Sequence, residues 1–135
     1  MTSHVIVGAG IAGLSAAEAV RAADPRAEIT LIGAEPDTFY SRPGLAYLLA
    51  GEIPERQLAI RTPTEIRGLM LDRVVDNVTA IDAAGHIVTT SRHGTLRYDR
   101  LLLATGSTSV PADFPGAQLD GIVHRECAPA DRSCA

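Results

Sequence analysis

Gly8-Ala9-Gly10-Ile11-Ala12-Gly13 is the stretch whose residue types and spacing point most directly to chemistry. Glycines at this spacing turn a chain sharply, let its backbone approach a charged diphosphate, and let a helix pack hard against a strand. In that scheme Gly8 makes the turn, Gly10 leaves the space for a pyrophosphate, and Gly13 allows the close packing. Ile11 and Ala12 then open a helix whose free N–H groups and positive dipole end face the phosphates. The dipole alone contributes about 0.3–1 kcal/mol, so the placement of the amides matters more than raw charge. Glu35 follows Gly13 by about twenty residues, where an adenosine ribose needs an acceptor for its hydroxyls. The chemistry is that of a dinucleotide site, and the spacing alone does not choose between NAD and FAD.

Those residues need a strand, a helix and a second strand to hold them. His4 to Val7 is a short apolar, β-branched run ended by Gly8, which predicts a buried strand. Ile11 to Ala23 is Ala-rich with Leu14, Ala17 and Val20 at helical spacing, and Asp24-Pro25 stops it. Ile29 to Ile32 predicts a second buried strand. Together they form a βαβ unit with parallel pairing. A loop runs from Glu35 through Tyr40-Ser41-Arg42-Pro43-Gly44. Short helices are expected at Leu45–Leu49 and Pro63–Leu71, the second capped by Thr62 or Thr64. Val74–Ile81, His86–Thr90 and Thr95–Tyr98 predict three antiparallel strands, with turns at Ala84-Gly85 and His93-Gly94. Arg100 to Ala104 predicts a further buried strand ending at Thr105-Gly106, with Asp99 as the turn residue before it. After Val123 the apolar periodicity stops, and 124–135 is expected to be an irregular tail.

Composition narrows the classes of function. At 135 residues, 46% of them hydrophobic, the chain fits one domain with a real core. Net charge is −4 with both signs interspersed, which argues against a nucleic-acid binder. No apolar run is long enough for a membrane span, and the N-terminus has no export-signal pattern. The expected location is cytoplasmic. Cys127 and Cys134 have neither redox-pair nor zinc-ligand spacing and are expected to be free thiols. The four histidines are scattered, none beside a Cys or Asp at catalytic spacing, and are expected to be structural or exposed. No metal site is expected.

Three stretches, in this order, carry a resemblance. They are VIVGAGIAGLSAAEAV from Val5, FYSRPGLAYLLAGEI from Phe39, and YDRLLLATGSTSVPADFPG from Tyr98 to Gly116. From Val5 to about Val123 the chain resembles the N-terminal part of the pyridine nucleotide–disulfide oxidoreductase superfamily. Within it the likeness is to flavoproteins of the nitrite, rubredoxin and ferredoxin reductase kind. The resemblance implies an α/β, Rossmann-like FAD/NAD(P)-binding fold, a parallel sheet with helices plus a small antiparallel β-meander. It implies FAD as cofactor, NAD(P)H as co-substrate in a full-length relative, and an acceptor protein such as a ferredoxin or rubredoxin.

Position by position, the resemblance sets Gly8, Gly10, Ile11, Ala12 and Gly13 at the pyrophosphate and Glu35 at the adenosine ribose. Arg42 and Pro43 would line the FAD near its flavin and phosphate portion. The backbone of Val78 would meet adenine, and Thr105 and Gly106 would pack close to the cofactor. Relatives often carry the ribose acid one step earlier, where Ala34 stands, and Ser-Lys where Ala46-Tyr47 stand. No Cys-x4-Cys pair follows the βαβ unit and no Cys lies in the loop after the second strand, so the flavin would have no protein thiol as partner.

The resemblance further implies that residues 1–123 are the N-terminal part of an FAD-binding domain, an incomplete one. The separate NAD(P)-binding domain of the family is not in this sequence, and the chain alone is expected not to oxidise NAD(P)H. Different classes of function remain open: a non-catalytic adenine-dinucleotide-binding module, or an NAD-binding Rossmann domain without flavin.

Overall fold

Position along the sheet decides which loops can meet a ligand. The computed structural model describes residues 1–36, 39–108, 110, 113–120 and 122. The expected tail with Cys127 and Cys134 lies outside them, as does Asp37. Residues up to Thr105 form one unit and those from Gly106 another.

In the first unit, β1 (Ser3–Val7), α1 (Ile11–Ala23) and β2 (Glu28–Gly33) form the expected βαβ unit. β1 and β2 pair parallel, with Val5 opposite Thr30 and Val7 opposite Ile32. Two more parallel strands, β3 (Asp72–Val75) and β7 (Arg100–Leu103), extend this sheet to the order β3-β2-β1-β7. β4 (Val78–Asp82), β5 (Ile87–Thr90) and β6 (Thr95–Arg97) form a separate antiparallel meander. Two short helices, α2 (Gly44–Leu49) and α3 (Pro63–Gly68), lie in the connection from β2 to β3. Thr62 caps α3 in a reciprocal pair with Glu65.

Strand alternation sorts the core into two faces. Ile6, Ile29 and Leu31 face α1 and pack with its Leu14 and Ala17. Val5, Val7 and Ile32 face the other way and pack with Val88 and Tyr98 of the meander region. The parallel sheet is therefore covered by a helix on one side and by the meander on the other.

Two expectations need correction. The run Val74–Ile81 is not one antiparallel strand. It divides at Asp76-Asn77 into β3, which joins the parallel sheet, and β4, which joins the meander. The break is driven by Asp76, whose carboxylate is buried and bonded to the turn between β5 and β6. Nor is β7 buried along its length. Among the described residues it borders β1 alone, at the sheet's edge, and Leu102 and Leu103 are 41% and 56% exposed. Asp99 does precede β7, and it ties the chain back to β1: its carboxylate accepts from the Ser3 amide at 2.7 Å.

In the second unit, turns at Phe114–Ala117 and Gly116–Leu119 are closed by backbone hydrogen bonds of 3.1 and 3.0 Å. Its first residue, Gly106, has φ +71°, a left-handed conformation that glycine adopts without strain. No described helix is long and apolar enough to cross a membrane.

Candidate dinucleotide-binding site

From β1 the chain moves outward to β2 and β3, then returns to the far side of β1 as β7. The order reverses between β1 and β7, and ligands of open parallel sheets bind outside the carboxyl ends at such a point. The two loops leaving it are Gly8–Gly10 and Ala104–Thr105.

Each glycine of the first loop has a separate physical task. Gly8 has φ +115°, and a Cβ there would stand 2.0 Å from the Ala104 carbonyl oxygen. It lets the two loops close on one another, with its own N–H donating to the Ile32 carbonyl at 2.8 Å. A Cβ on Gly13 would stand 1.9 Å from the Gly8 carbonyl oxygen, so Gly13 seats α1 against the turn. Gly10 differs from both. Its backbone is ordinary (φ −80°, ψ −172°), and a Cβ there would meet nothing within 4 Å. No described residue uses the space beside Gly10, and a bound group could.

Gly10 is the N-cap of α1 and supplies no capping side chain. The first intrahelical bond runs from Leu14 N–H to the Gly10 carbonyl at 3.0 Å. The amides of Ile11, Ala12 and Gly13 precede it and have no acceptor among the described residues. Ile11 and Ala12 are exposed, and the first turn carries no acidic side chain to compete for those donors. Unfilled donors, a positive dipole end and open space beside Gly10 together suit a diphosphate. These residues fit the pyrophosphate of a dinucleotide.

Glu35 follows the end of β2, the neighbouring strand, so it lies on the same carboxyl edge. It is already engaged. One carboxylate oxygen accepts from Arg42 Nη2 at 2.5 Å and the other from the Tyr40 hydroxyl at 2.9 Å. The Arg42 guanidinium also stands over the Tyr40 ring, and Arg73 of β3 donates to the Glu35 carbonyl at 3.0 Å. The two residues assigned to different parts of a cofactor thus pair with each other. Pro43, beside Arg42, is exposed and caps α2. Val78 opens β4, half-buried, opposite Thr90. Thr105, exposed, follows the edge strand.

Sequence reasoning missed three contributors. A Cβ on Gly33 would stand 2.5 Å from the Ala9 methyl, so the end of β2 also needs glycine where the first loop crosses it. Its signal was present, a Gly closing the second strand. Tyr40 holds Glu35. Asp76 pairs with His93 Nδ1 at 2.8 Å; seventeen residues separate the two, so no local spacing signals the pair. Burial acts to raise the Asp76 carboxyl's pKa, yet hydrogen bonds from the His93 ring and the Arg92, Asn77 and His93 amides hold it well below the usual carboxylate range.

Other cavities are less suited. A shallow polar cavity of about 550 Å³ is lined by Ser3, Glu28, His86 and Asp99. It lies by the amino ends of β1 and β2, the wrong edge of a parallel sheet for a dinucleotide. Among the described residues no cluster of His, Cys, Asp or Glu could hold a metal ion.

Comparison with known proteins agrees with this geometry. The family model for pyridine nucleotide-disulphide oxidoreductases matches residues 2–133. The chain is 35% identical over 127 residues to the benzene 1,2-dioxygenase system ferredoxin–NAD(+) reductase subunit of Pseudomonas putida, covering 91% of this chain and 30% of that protein. A solved ferredoxin reductase for the CYP199A2 system from Rhodopseudomonas palustris superposes with a TM-score of 0.78 at 30% identity, over 91% of this chain and 31% of that one. A chain of the covalent putidaredoxin reductase–putidaredoxin complex gives 0.77 at 34% identity, over 87% and 28%. The chain spans about three tenths of the length of these relatives. With the glycine turn, the strand order and a family match along nearly its whole length, this chain belongs to the pyridine nucleotide-disulphide oxidoreductase family.

Proposed function

We propose that this chain is the FAD-binding portion of an NAD(P)H-dependent flavoprotein reductase whose acceptor is a small electron-carrier protein of the ferredoxin or rubredoxin kind. The observation that carries the reading is the first turn of α1, with three unfilled amides beside the open space at Gly10. The ferredoxin reductases among its relatives support the choice of reaction. Residues 1–123 form this portion, and a cytoplasmic location, where NAD(P)H is at hand, belongs to the same proposal.

The chain's own residues bind and orient. Ile11, Ala12 and Gly13 amides hold the pyrophosphate without a counter-charged side chain. Glu35 accepts from the adenosine ribose, exchanging its Arg42 or Tyr40 contact for a ribose hydroxyl. Arg42, beside it, neutralises cofactor charge. Val78 offers its backbone to adenine, and Thr105 and Gly106 line the approach to the cofactor. Bound FAD would supply the redox chemistry, taking up reducing equivalents from a nicotinamide and passing them on.

The test is the visible spectrum of the chain after incubation with FAD and removal of free flavin. Retained flavin absorption that ADP displaces is the expected result. A colourless protein that still binds ADP would favour an NAD-type or purely adenylate-binding module. A chain that binds neither would overturn the proposal.

A further inference from the structure

Asp76 is a buried carboxylate that none of the roles above employs. Its side chain is 0% exposed, and burying a charge is costly unless donors surround it. Here they do. Oδ1 accepts from the Asn77 amide at 2.8 Å. Oδ2 accepts from the Arg92 amide at 2.8 Å, the His93 amide at 3.0 Å and His93 Nδ1 at 2.8 Å. Arg92 Nε approaches Oδ1 at 3.5 Å. Two elements meet at this one group: the end of β3 and the turn 91–94 between β5 and β6. Further bonds seal the same junction, from the Ser91 amide to the Asn77 carbonyl at 3.0 Å and from Arg92 Nη2 to the Val75 carbonyl at 2.8 Å.

The junction lies on the carboxyl edge of the parallel sheet. Asp76 follows β3, and its N–H donates to the Gly33 carbonyl at the end of β2. Adjacent strands are about 4.8 Å apart. A dinucleotide with its pyrophosphate at the end of β1 and its ribose at Glu35, beyond β2, therefore carries its base toward the end of β3. The structure clamps the turn 91–94 beside that position, with Arg92 and His93 exposed on it. Were the turn held only for stability, an apolar plug would serve as well and avoid the cost of burying a charge.

We infer that Asp76 is a positioning residue for the adenine end of the ligand: its carboxylate fixes the turn 91–94 against the end of β3 and so builds the wall against which the base rests. The inference depends on the dinucleotide reading above. Asp76 touches no ligand in this role and acts through the backbone of 77–78 and 91–93. Replacing it with Asn sets an amide N–H2 against backbone N–H groups that can only donate, so the turn loosens while the first turn of α1, two strands away, is unaffected.

The test compares two probes, ADP and inorganic pyrophosphate, by calorimetric titration of the wild-type chain, Asp76→Asn and His93→Ala. In Asp76→Asn the ADP affinity should fall by about tenfold or more, while pyrophosphate affinity stays at the wild-type value. General damage to the fold would lower both alike. His93→Ala removes only the ring's bond, leaves the backbone donors, and should show the same selective loss to a smaller degree. If Asp76→Asn fails to fold, His93→Ala alone decides, and unchanged ADP binding there overturns the inference. ADP affinity unchanged in a folded Asp76→Asn, or falling in step with pyrophosphate, overturns it and leaves the dinucleotide site standing. Wild-type chain that binds neither probe overturns both.

Discussion

Replacing Gly10 with valine separates ligand binding from folding, because of the three fingerprint glycines only Gly10 has room for a side chain. Its φ and ψ are those of extended backbone, and its Cβ position is clear to 4 Å. The expected structural cost is that of a poor N-cap residue, about 1 kcal/mol, or a fall in Tm of about 3–5 °C for a chain this size. The cost to binding is much larger. The isopropyl group fills the space where a diphosphate would meet the amides of Ile11, Ala12 and Gly13. A hydrogen bond to a charged group contributes about 1.5–3 kcal/mol. Losing two of the three weakens binding by about 3–6 kcal/mol, or about 10²–10⁴-fold. Calorimetric titration with ADP reads the affinity, and thermal unfolding by circular dichroism reads the fold. A folded Gly10→Val protein that binds ADP as tightly as wild type would show that no diphosphate lies beside Gly10.

The other glycines should behave in the opposite way. Gly8→Ala and Gly13→Ala each drive a Cβ to about 2 Å from a backbone oxygen, and each should cost about 3 kcal/mol or more in urea unfolding; a midpoint equal to wild type would show that the turn relaxes freely. Glu35→Gln removes an ion pair exposed on both sides, so stability should change by under about 1 kcal/mol. The same variant should weaken ADP binding by about 1–3 kcal/mol through loss of a charge-assisted acceptor, and unaltered affinity would retire Glu35 as the ribose ligand. Asp76 makes acid stability testable. Its folded pKa lies below its unfolded value, so its contribution is complete above about pH 4 and is lost as pH falls through the depressed value. Wild-type stability should therefore decline more steeply than that of Asp76→Asn between about pH 4 and pH 2, and parallel curves would contradict the assignment.

How far the sequence could be read depended on the range of the interactions involved. The βαβ unit was legible because local signals agree there. A β-branched run ends at Gly8, an Ala-rich segment has apolar residues at helical spacing, and Asp24-Pro25 stops it; the observed helix is Ile11–Ala23. Val74–Ile81 was misread because its apolar residues continue across Asp76-Asn77, while the cause of the break lies at residues 92–93, far along the chain. Leu101-Leu102-Leu103 looks buried by type, yet burial depends on what covers a strand, and among the described residues β7 has a neighbouring strand on one side only. In the site, the tasks of Gly8 and Gly13 follow from their spacing. The pairing of Glu35 with Arg42 and Tyr40 does not, since a loop has no periodicity from which to infer which side chains meet.

If the first turn of α1 holds the phosphates of a dinucleotide, its amides must respond to one. The most direct measurement is a titration of the isotopically labelled chain with ADP, followed by the amide resonances in two-dimensional NMR. Saturable shifts should concentrate at Gly10, Ile11, Ala12 and Gly13, be accompanied by Glu35 and the residues flanking Asp76, and be absent from Gly10→Val. Saturable shifts centred instead on Ser3, Glu28 and His86, at the opposite edge of the sheet, or no shifts at the glycine turn at saturating ADP, would contradict it.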